Sequence, residues 1–482
     1  MLKNRKIIYI LFTILFFAVC LVPSLGLLVF GEAEASANEI LAGRPEVIKQ
    51  DGSFNFNIAG DLTDYMAERF ALRKELITVY AGINAAVFGE STEDDVVLGT
   101  DGWLFYEKTV KDYLHIPSLT ERSAYGVGRT LSMMQEYAEK RNVKAVFTVA
   151  PNKNSLYTDH MPDVGRIRQD KKNLEILTEY LDKNNVNYAD LTSAFESERD
   201  KGNVLYHRLD SHWNSGGAAL ALRIITDRLG VCPYDWYDSE YGIERVHEGD
   251  LYKMLYPAGS EMDEDIIFKR KFTFVYPEKD NADYYSGKAP RNDNQRIVTR
   301  GTGTGNLLMF RDSFGNSLYP FMAETFAESV FMRAMPYRPD LLDSGEYDYA
   351  VFEIVERNIG WLAERAPVFE APVRETDRVP EDSNIGANVT VSDSETLPGY
   401  RLITGVYSGE LCDTDTDIYL QIGARIYEAC PVADASVECV TDANFTAYIP
   451  EQEVGDEIYV IAERGGKLIR QAGIIHEQTN AV

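Results

Sequence analysis

Cationic side chains are scarce in this 482-residue chain: 48 lysines and arginines stand against 76 aspartates and glutamates, a formal net charge of −28. A field of that sign repels phosphate, which argues against non-specific nucleic-acid binding, and no nucleic-acid partner is expected. Cysteine is scarce too. Cys20 lies in an apolar N-terminal stretch, while Cys232, Cys412, Cys430 and Cys439 are scattered, and neither a CxxC pair nor an HExxH spacing occurs. No zinc site and no cofactor are therefore expected. Cys430 and Cys439 suit a disulfide in an oxidising compartment, with free buried thiols as the alternative. Histidine is limited to six residues, and no internal repeat stands out.

What is present is a folding composition, 45% hydrophobic and 11% aromatic, in a chain long enough for two or three domains. Lys3, Arg5 and Lys6 precede an apolar run from Ile7 to Phe30. The run is long enough to span a bilayer and longer than the roughly 7–15 apolar residues of a signal peptide. We read residues 1–31 as an uncleaved anchor; the alternative is a signal peptide cut near Ala35-Ser36-Ala37. The basic flank keeps the N-terminus cytoplasmic, so a single-pass protein with its working part outside the membrane is expected.

Residues 32–92 carry a helical pattern and read as a membrane-proximal spacer, and VVLGTDGWLFY reads as a hairpin. Helices then alternate with short, fully apolar strands: VKAVFTV (143–149), Val186–Ala189, NLLMF (306–310), SVFM and YAVFEIV. This is the mark of a parallel sheet covered on both faces, an α/β domain over 93–362. Residues 233–300, with a possible strand FKRKFTFVY, interrupt it as an insertion. A proline-containing linker (363–384) leads to alternating strands over 385–482, including a Gly465-Gly466 hairpin turn, which predict a C-terminal β-sandwich.

Acyl chemistry needs a nucleophile, a base and a group that orients the base. In RLDSHWNSGGAALA, Asp210 and His212 flank Ser211 just before a helix start that Asn214 or Ser215 can cap. Ser313 sits on the turn between the strand NLLMF and the next helix, where a helix N-terminus would aim N–H groups at an oxyanion. Asp312 and Ser313 read equally as a helix cap, and His212 as a histidine packed beside Trp213. The three together point to an Asp210–His212–Ser313 triad. His207 is the nearest rival base, while His115, His160, His247 and His476 lack a comparable neighbour pattern. Ligands in such sheets bind at the carboxyl ends of strands, which adds Asn152 and Lys153. Arg208, Arg311, Lys153 and Arg357 then gather near the site, to hold an acidic sugar or an oxyanion, or to neutralise Asp210, Asp312 and Glu356. Trp213 reads as a core wall that at the strand edge can also face substrate.

The ordered blocks GTDGWLFY, APNKNSLY, DSHWNSGGAA and FRDSFGNSLYPF resemble the DHHW proteins and, more distantly, the bacterial alginate O-acetyltransferases, over roughly residues 40–362. The resemblance implies a circularly permuted, three-layer SGNH-hydrolase-like fold with the Asp-His pair preceding the serine, and assigns Asp210, His212 and Ser313 to the triad. It also implies an extracytoplasmic protein acting on a cell-surface polysaccharide with a membrane-bound O-acyltransferase as acyl-donor partner. Ser211 departs from Asp-His-His-Trp and is closer to Asp-Thr-His-Trp. The usual SGNH glycine and GxND blocks are not recognisable, which leaves the second oxyanion donor open. The loop Glu356-Arg357-Asn358 falls where that asparagine would lie, so Arg357 and Asn358 are candidates, with surface salt-bridging the ordinary reading of Arg357. Three functions follow: an O-acyltransferase with acetyl as the expected group, an esterase using the same triad, or a non-catalytic surface-binding or assembly protein.

Overall fold

Unbroken apolar strands need cover on both faces, because successive side chains project to opposite sides of a sheet. In the computed structural model of the chain KAVFTVA, NLLMF and YAVFEIV meet that condition: Ala145, Phe147 and Val149 are buried on one side, Val146 and Ala150 on the other, and residues 307–310 and 350–355 are buried throughout. The structure describes the chain from residue 41 onward except 50–51, 169, 289–294, 434–441 and 479–482, with scattered positions before it. The segment expected to cross a bilayer thus lies largely outside the described residues. Among the described ones no helix is long and apolar enough to cross a membrane.

The chain divides into two compact units. The first comprises residues 1–107, 208–211 and 245–264. It holds the helices Ile58–Arg69 and Arg73–Phe88 of the expected spacer, and the expected hairpin, β1 (Val96–Leu98) against β2 (Leu104–Tyr106). Ala81, Val96, Leu104, Leu209, Leu251 and Leu255 form its core. The excursion 208–211 is stitched in by its backbone: Leu104 N–H donates to Arg208 O at 3.0 Å, and Ser211 N–H to the Asp250 carboxylate at 2.7 Å.

The second unit, residues 108–207, 212–244 and 265–482, holds the large sheet. After β3 (Lys144–Ala150) and β4 (Tyr188–Ala189) come β5 (Tyr241–His247) and β6 (Asp263–Phe268), whose residues 245–247 and 263–264 belong to the first unit. The chain continues with β7 (Arg296–Arg300), β8 (Asn306–Phe310), β9 (Glu328–Met332) and β10 (Tyr349–Val355). The order is β4-β3-β10-β8-β9-β7, parallel except for the edge strand β7. The helices Glu121–Glu139 and Asn173–Lys183 share one apolar cluster with Phe147, Phe310 and Phe352. Helices Ser215–Leu229 and Gly315–Thr325 pack on each other and against β3 and β9, which gives three layers.

Three local expectations change. A helix, Leu191–Asp200, separates β4 from the Asp210–His212 segment, so that segment does not leave a strand of this sheet. Its signal is Asp190, whose carboxylate accepts the Ser193 N–H at the helix N-terminus. The strand expected in FKRKFTFVY lies earlier, at β6, and the later aromatics pack edgewise instead, Phe272 on Phe321. The helix expected between β9 and β10 is the short 3₁₀ segment Pro339–Ser344, because Pro336 and Pro339 withhold backbone donors.

From Val373 onward the chain is β-rich. The long strand Lys467–Gln478 pairs antiparallel with Ile458–Arg464 through its first half and parallel with Ala387–Ser392 through its second. One strand shared by two layers folds them over a common core that includes Val389, Ile403, Ile418, Leu420, Phe445 and Val460. The result is a β-rich half-barrel or sandwich. Its hairpin turn is at Gly465-Gly466, both at positive φ (57° and 82°). The stretch expected as a linker supplies two short strands, Val373–Arg374 and Glu381–Asp382, to the same sheet. Among the described residues Cys232, Cys412 and Cys430 form no disulfide, and Cys439, the partner expected for Cys430, lies outside them.

Charged side chains tie these strands to helix Glu121–Glu139. Glu428, 1% exposed, accepts from Arg129 (2.5 and 2.8 Å) and from Arg374 (2.5 Å), and Arg374 reaches Glu136 at 2.6 Å. Removing the central carboxylate strands two partly buried guanidinium groups. Glu428→Ala is therefore expected to cost about 3 kcal/mol, and Glu428→Gln clearly less, read as shifts in the urea-unfolding midpoint.

Candidate active site

The ladder between β8 and β10 ends at the pair Phe310–Phe352. Beyond it, side chains continue the pairing. The Asp312 carboxylate accepts the N–H of Val355 at 2.8 Å and that of Phe314 at 2.8 Å, and Asp312 N–H donates to the Glu353 carboxyl at 3.0 Å. This fixes the turn that carries Ser313, half-buried, ahead of helix Gly315–Thr325, for which Phe314 is the N-cap. Phe314 N–H is consumed by Asp312. For the Ser313 N–H no acceptor is found among the described residues.

His212 arrives on a different scaffold. Residues 204–207 and 212–214 run side by side, with a bridge between Tyr206 and Trp213, His207 N–H donating to His212 O at 3.2 Å, and Asn214 N–H to Leu205 O at 2.9 Å. The Asn214 side chain caps helix Ser215–Leu229 by accepting Gly217 N–H at 2.9 Å. Gly217 is required by space: a Cβ there would lie 2.5 Å from Leu205 O.

The two scaffolds interlock through the residues that follow the histidine and the serine. Trp213 Nε1–H donates to Phe314 O at 3.1 Å, and the two rings pack edge to face at 5.0 Å. The imidazole of His212 rests on Phe314, ring centroids 4.8 Å apart, and its Nε2 lies 2.9 Å from Ser313 Oγ. A histidine and a serine at hydrogen-bond distance, with the serine on a strand-to-helix turn, can move a proton from hydroxyl to imidazole as the hydroxyl attacks.

The other candidates have identifiable partners. Trp213 is fully buried, a wall of the core with no ring face left for a sugar. Lys153 is buried and its Nζ donates to His207 O at 3.1 Å. Arg311 is buried, bonding Asp312 O and the Asn316 side chain, and burial lowers its pKa to about 10. Arg208, in the first unit, pairs with Glu261 at 2.6 Å. Arg357 and Asn358 are half-buried on the 3₁₀ turn after β10, and the Arg357 guanidinium lies 5.5 Å from the Phe314 ring centroid. Asn152 is buried, with its side-chain N–H on Asp112 (2.9 Å) and its backbone N–H on Glu356 (2.7 Å).

Asp210 belongs to the first unit, where its Oδ2 lies 2.9 Å from His247 Nε2 and accepts the Asp250 N–H at 2.9 Å. His247, set aside by its neighbours in sequence, is thus a partner of the expected triad acid. Glu353 and Asp112 were not foreseen either, and Glu356 was read only as a charge for the nearby cations to neutralise. The sequence signal for Glu353 and Glu356 is an acid inside or beside an apolar strand, as in YAVFEIVE, while Asp112 lies in the short helix Val110–Tyr113. Glu356 also accepts Ser155 Oγ–H at 2.9 Å, so it joins the exit of β3 to that of β10.

Burial, and next the neighbouring Asp112 charge, push the Glu356 carboxyl up to about 7. A carboxyl whose folded pKa is raised binds its proton more tightly in the folded chain, so its stabilising share is complete below the ordinary carboxylate range. That share is lost as pH rises toward 7. Relative to wild type, Glu356→Gln is expected to flatten the fall of the urea midpoint between pH 4.5 and 7.5.

Residues 96–266 match the family model of the SGNH hydrolase-like domain of acetyltransferase AlgX. Similar solved structures include a DHHW family protein from Eubacterium siraeum (17% identity, 55% of this chain and 94% of that one, TM-score 0.38). The O-acetyltransferase domain of Pseudomonas putida AlgJ (15%, 56% and 93%, 0.36) and Pseudomonas aeruginosa AlgX (13%, 78% and 90%, 0.36) are also among them. No curated protein matches the chain. The family match covers three of the four motif blocks and stops short of Ser313. Over residues 96–266, then, the chain is similar to the SGNH hydrolase-like domain that its motifs resemble.

Proposed function

We propose that the chain is an O-acyltransferase, with acetyl as the group carried and a sugar hydroxyl of a cell-surface or exported polysaccharide as acceptor. The carrying observation is the 2.9 Å approach of His212 Nε2 to half-buried Ser313 Oγ. The family match to an acetyltransferase domain supports the reaction class. A degenerate, purely binding site has no need to hold that pair in register, which weighs against the non-catalytic reading.

In this reading Ser313 Oγ attacks the carbonyl carbon of an acyl donor while His212 Nε2 takes the hydroxyl proton. The tetrahedral oxyanion is received by Ser313 N–H, with Arg357 the adjacent cation. Collapse breaks the bond to the donor's leaving group, which takes the proton back from His212 and leaves an acyl-serine. A sugar hydroxyl then gives its proton to His212 and attacks the acyl carbon, and the bond to Ser313 Oγ breaks as that oxygen takes the proton from His212. Asp210 is the proposed orienting carboxylate. An outward-facing location, anchorage by the N-terminal segment and a membrane-bound acyl-donor partner belong to the same proposal and rest on the sequence reading.

The test uses purified full-length chain with a chromogenic acetyl ester, then with an oligosaccharide acceptor. Ser313→Ala and His212→Ala are each expected to lose at least about a thousandfold in acyl release, and Arg357→Ala about a hundredfold in kcat with KM little changed. A Ser313→Ala variant as active as wild type would sink the reading. Acetyl transfer to added glycan in preference to water distinguishes transferase from esterase.

A further inference from the structure

Glu353 is a carboxyl inside an apolar strand, 1% exposed, that the reaction as drawn does not use. Its Oε2 accepts Asp312 N–H at 3.0 Å, while Oε1 is buried and receives no donor among the described residues. The Asp312 carboxyl is the neighbouring charge that, after burial, raises the proton affinity of Glu353. Asp312 in turn is held by two N–H groups, from Phe314 and Val355. Two carboxyls sharing one site cannot both be ionised at modest cost. Asp312 accepts two backbone donors, whereas the buried Glu353 carboxyl is the one whose proton affinity is raised.

We propose that Glu353 is a positioning residue that locks the nucleophile turn, donating its O–H to the Asp312 carboxylate and accepting Asp312 N–H in return. The proposal rests on Ser313 being the nucleophile. The plane of the peptide joining Asp312 to Ser313 sets the direction of Ser313 N–H. Glu353 bonds the preceding peptide, through Asp312 N–H, and so fixes the Asp312 end from which that peptide starts, at a point where the ladder between β8 and β10 has already ended. Burial, then the Asp312 charge, hold the Glu353 carboxyl well above the ordinary range. The other titratable groups about it are Arg311 beside Asp312, Tyr206 ahead of His212, and Tyr337, whose O–H donates to Glu353 backbone O at 3.0 Å.

Glutamine can donate and accept at the same two places, whereas leucine can do neither. In full-length protein, Glu353→Gln is expected to keep kcat within about threefold of wild type. Folded Glu353→Leu is expected to lose kcat about a hundredfold at unchanged KM, the scale of an ångström misplacement. The alkaline fall of wild-type kcat caused by Glu353 ionisation is expected to be missing from Glu353→Gln. Independently of turnover, the infrared difference between wild type and Glu353→Gln at pH 7 is expected to carry the carbonyl band of a protonated carboxylic acid. An absent acid band, or a Glu353→Leu variant with wild-type kcat, overturns the positioning role alone. A wild-type chain that releases no acyl group overturns the reading of Ser313 and this role with it, so the two failures are told apart.

Discussion

The geometry of the site depends on a hydrogen bond that neither expected catalytic residue makes. Trp213 Nε1–H reaches the carbonyl of Phe314, and so joins the residue after the histidine to the residue after the serine. His212 lies on a segment with a single bridge and no sheet register to aim it. Its direction comes instead from Trp213 on one side and the Phe314 ring beneath it. The indole is fully buried, so leaving its N–H unpaired would cost about 1–3 kcal/mol, and the bond is correspondingly hard to break.

Strand β10 has a comparable role for the loops around the serine. It lies between β3 and β8, and each neighbour's exit is held by an acid from its carboxyl end. Glu353 receives the Asp312 N–H beyond β8, and Glu356 receives the Asn152 N–H and Ser155 O–H beyond β3. Backbone pairing alone cannot do this, since strands must diverge where they open a crevice. Buried carboxyls accept from the freed N–H groups at the point of divergence, and the resulting rise in their proton affinity is the physical consequence of placing them there.

Much of this was legible in the chain itself. The apolar runs KAVFTVA, NLLMF and YAVFEIV gave the parallel sheet, Gly465-Gly466 the C-terminal hairpin, and the turn after NLLMF the place of Ser313. His212 and Ser313, 101 residues apart, were paired by residue type and strand-end position alone. What escaped follows from interactions that have no local pattern. Helix Leu191–Asp200 is polar over much of its length and was passed over despite its Asp190 cap. His247 has no distinctive neighbours, and only the fold places it on Asp210. The cationic cluster read around the site was a matter of nearness in topology, whereas Lys153 and Arg311 point into the structure and bond backbone carbonyls there.

With those cations committed elsewhere, the electrostatics at Ser313 rest on few groups. Phe314 N–H, which the start of a helix would ordinarily present to an oxyanion, is taken by Asp312. Ser313 N–H remains, with Arg357 alongside, its guanidinium 5.5 Å from the Phe314 ring centroid. A site with one fixed backbone donor depends more on that donor's direction than a site with several, because hydrogen bonds weaken steeply with misalignment. Direction here is a property of the Asp312–Ser313 peptide, whose carbonyl accepts from Arg311 Nη1 at 3.1 Å and whose Asp312 end is held through that residue's N–H and carboxylate. In the proposed reaction, the hold on Asp312 matters because few other groups are available to receive the charge.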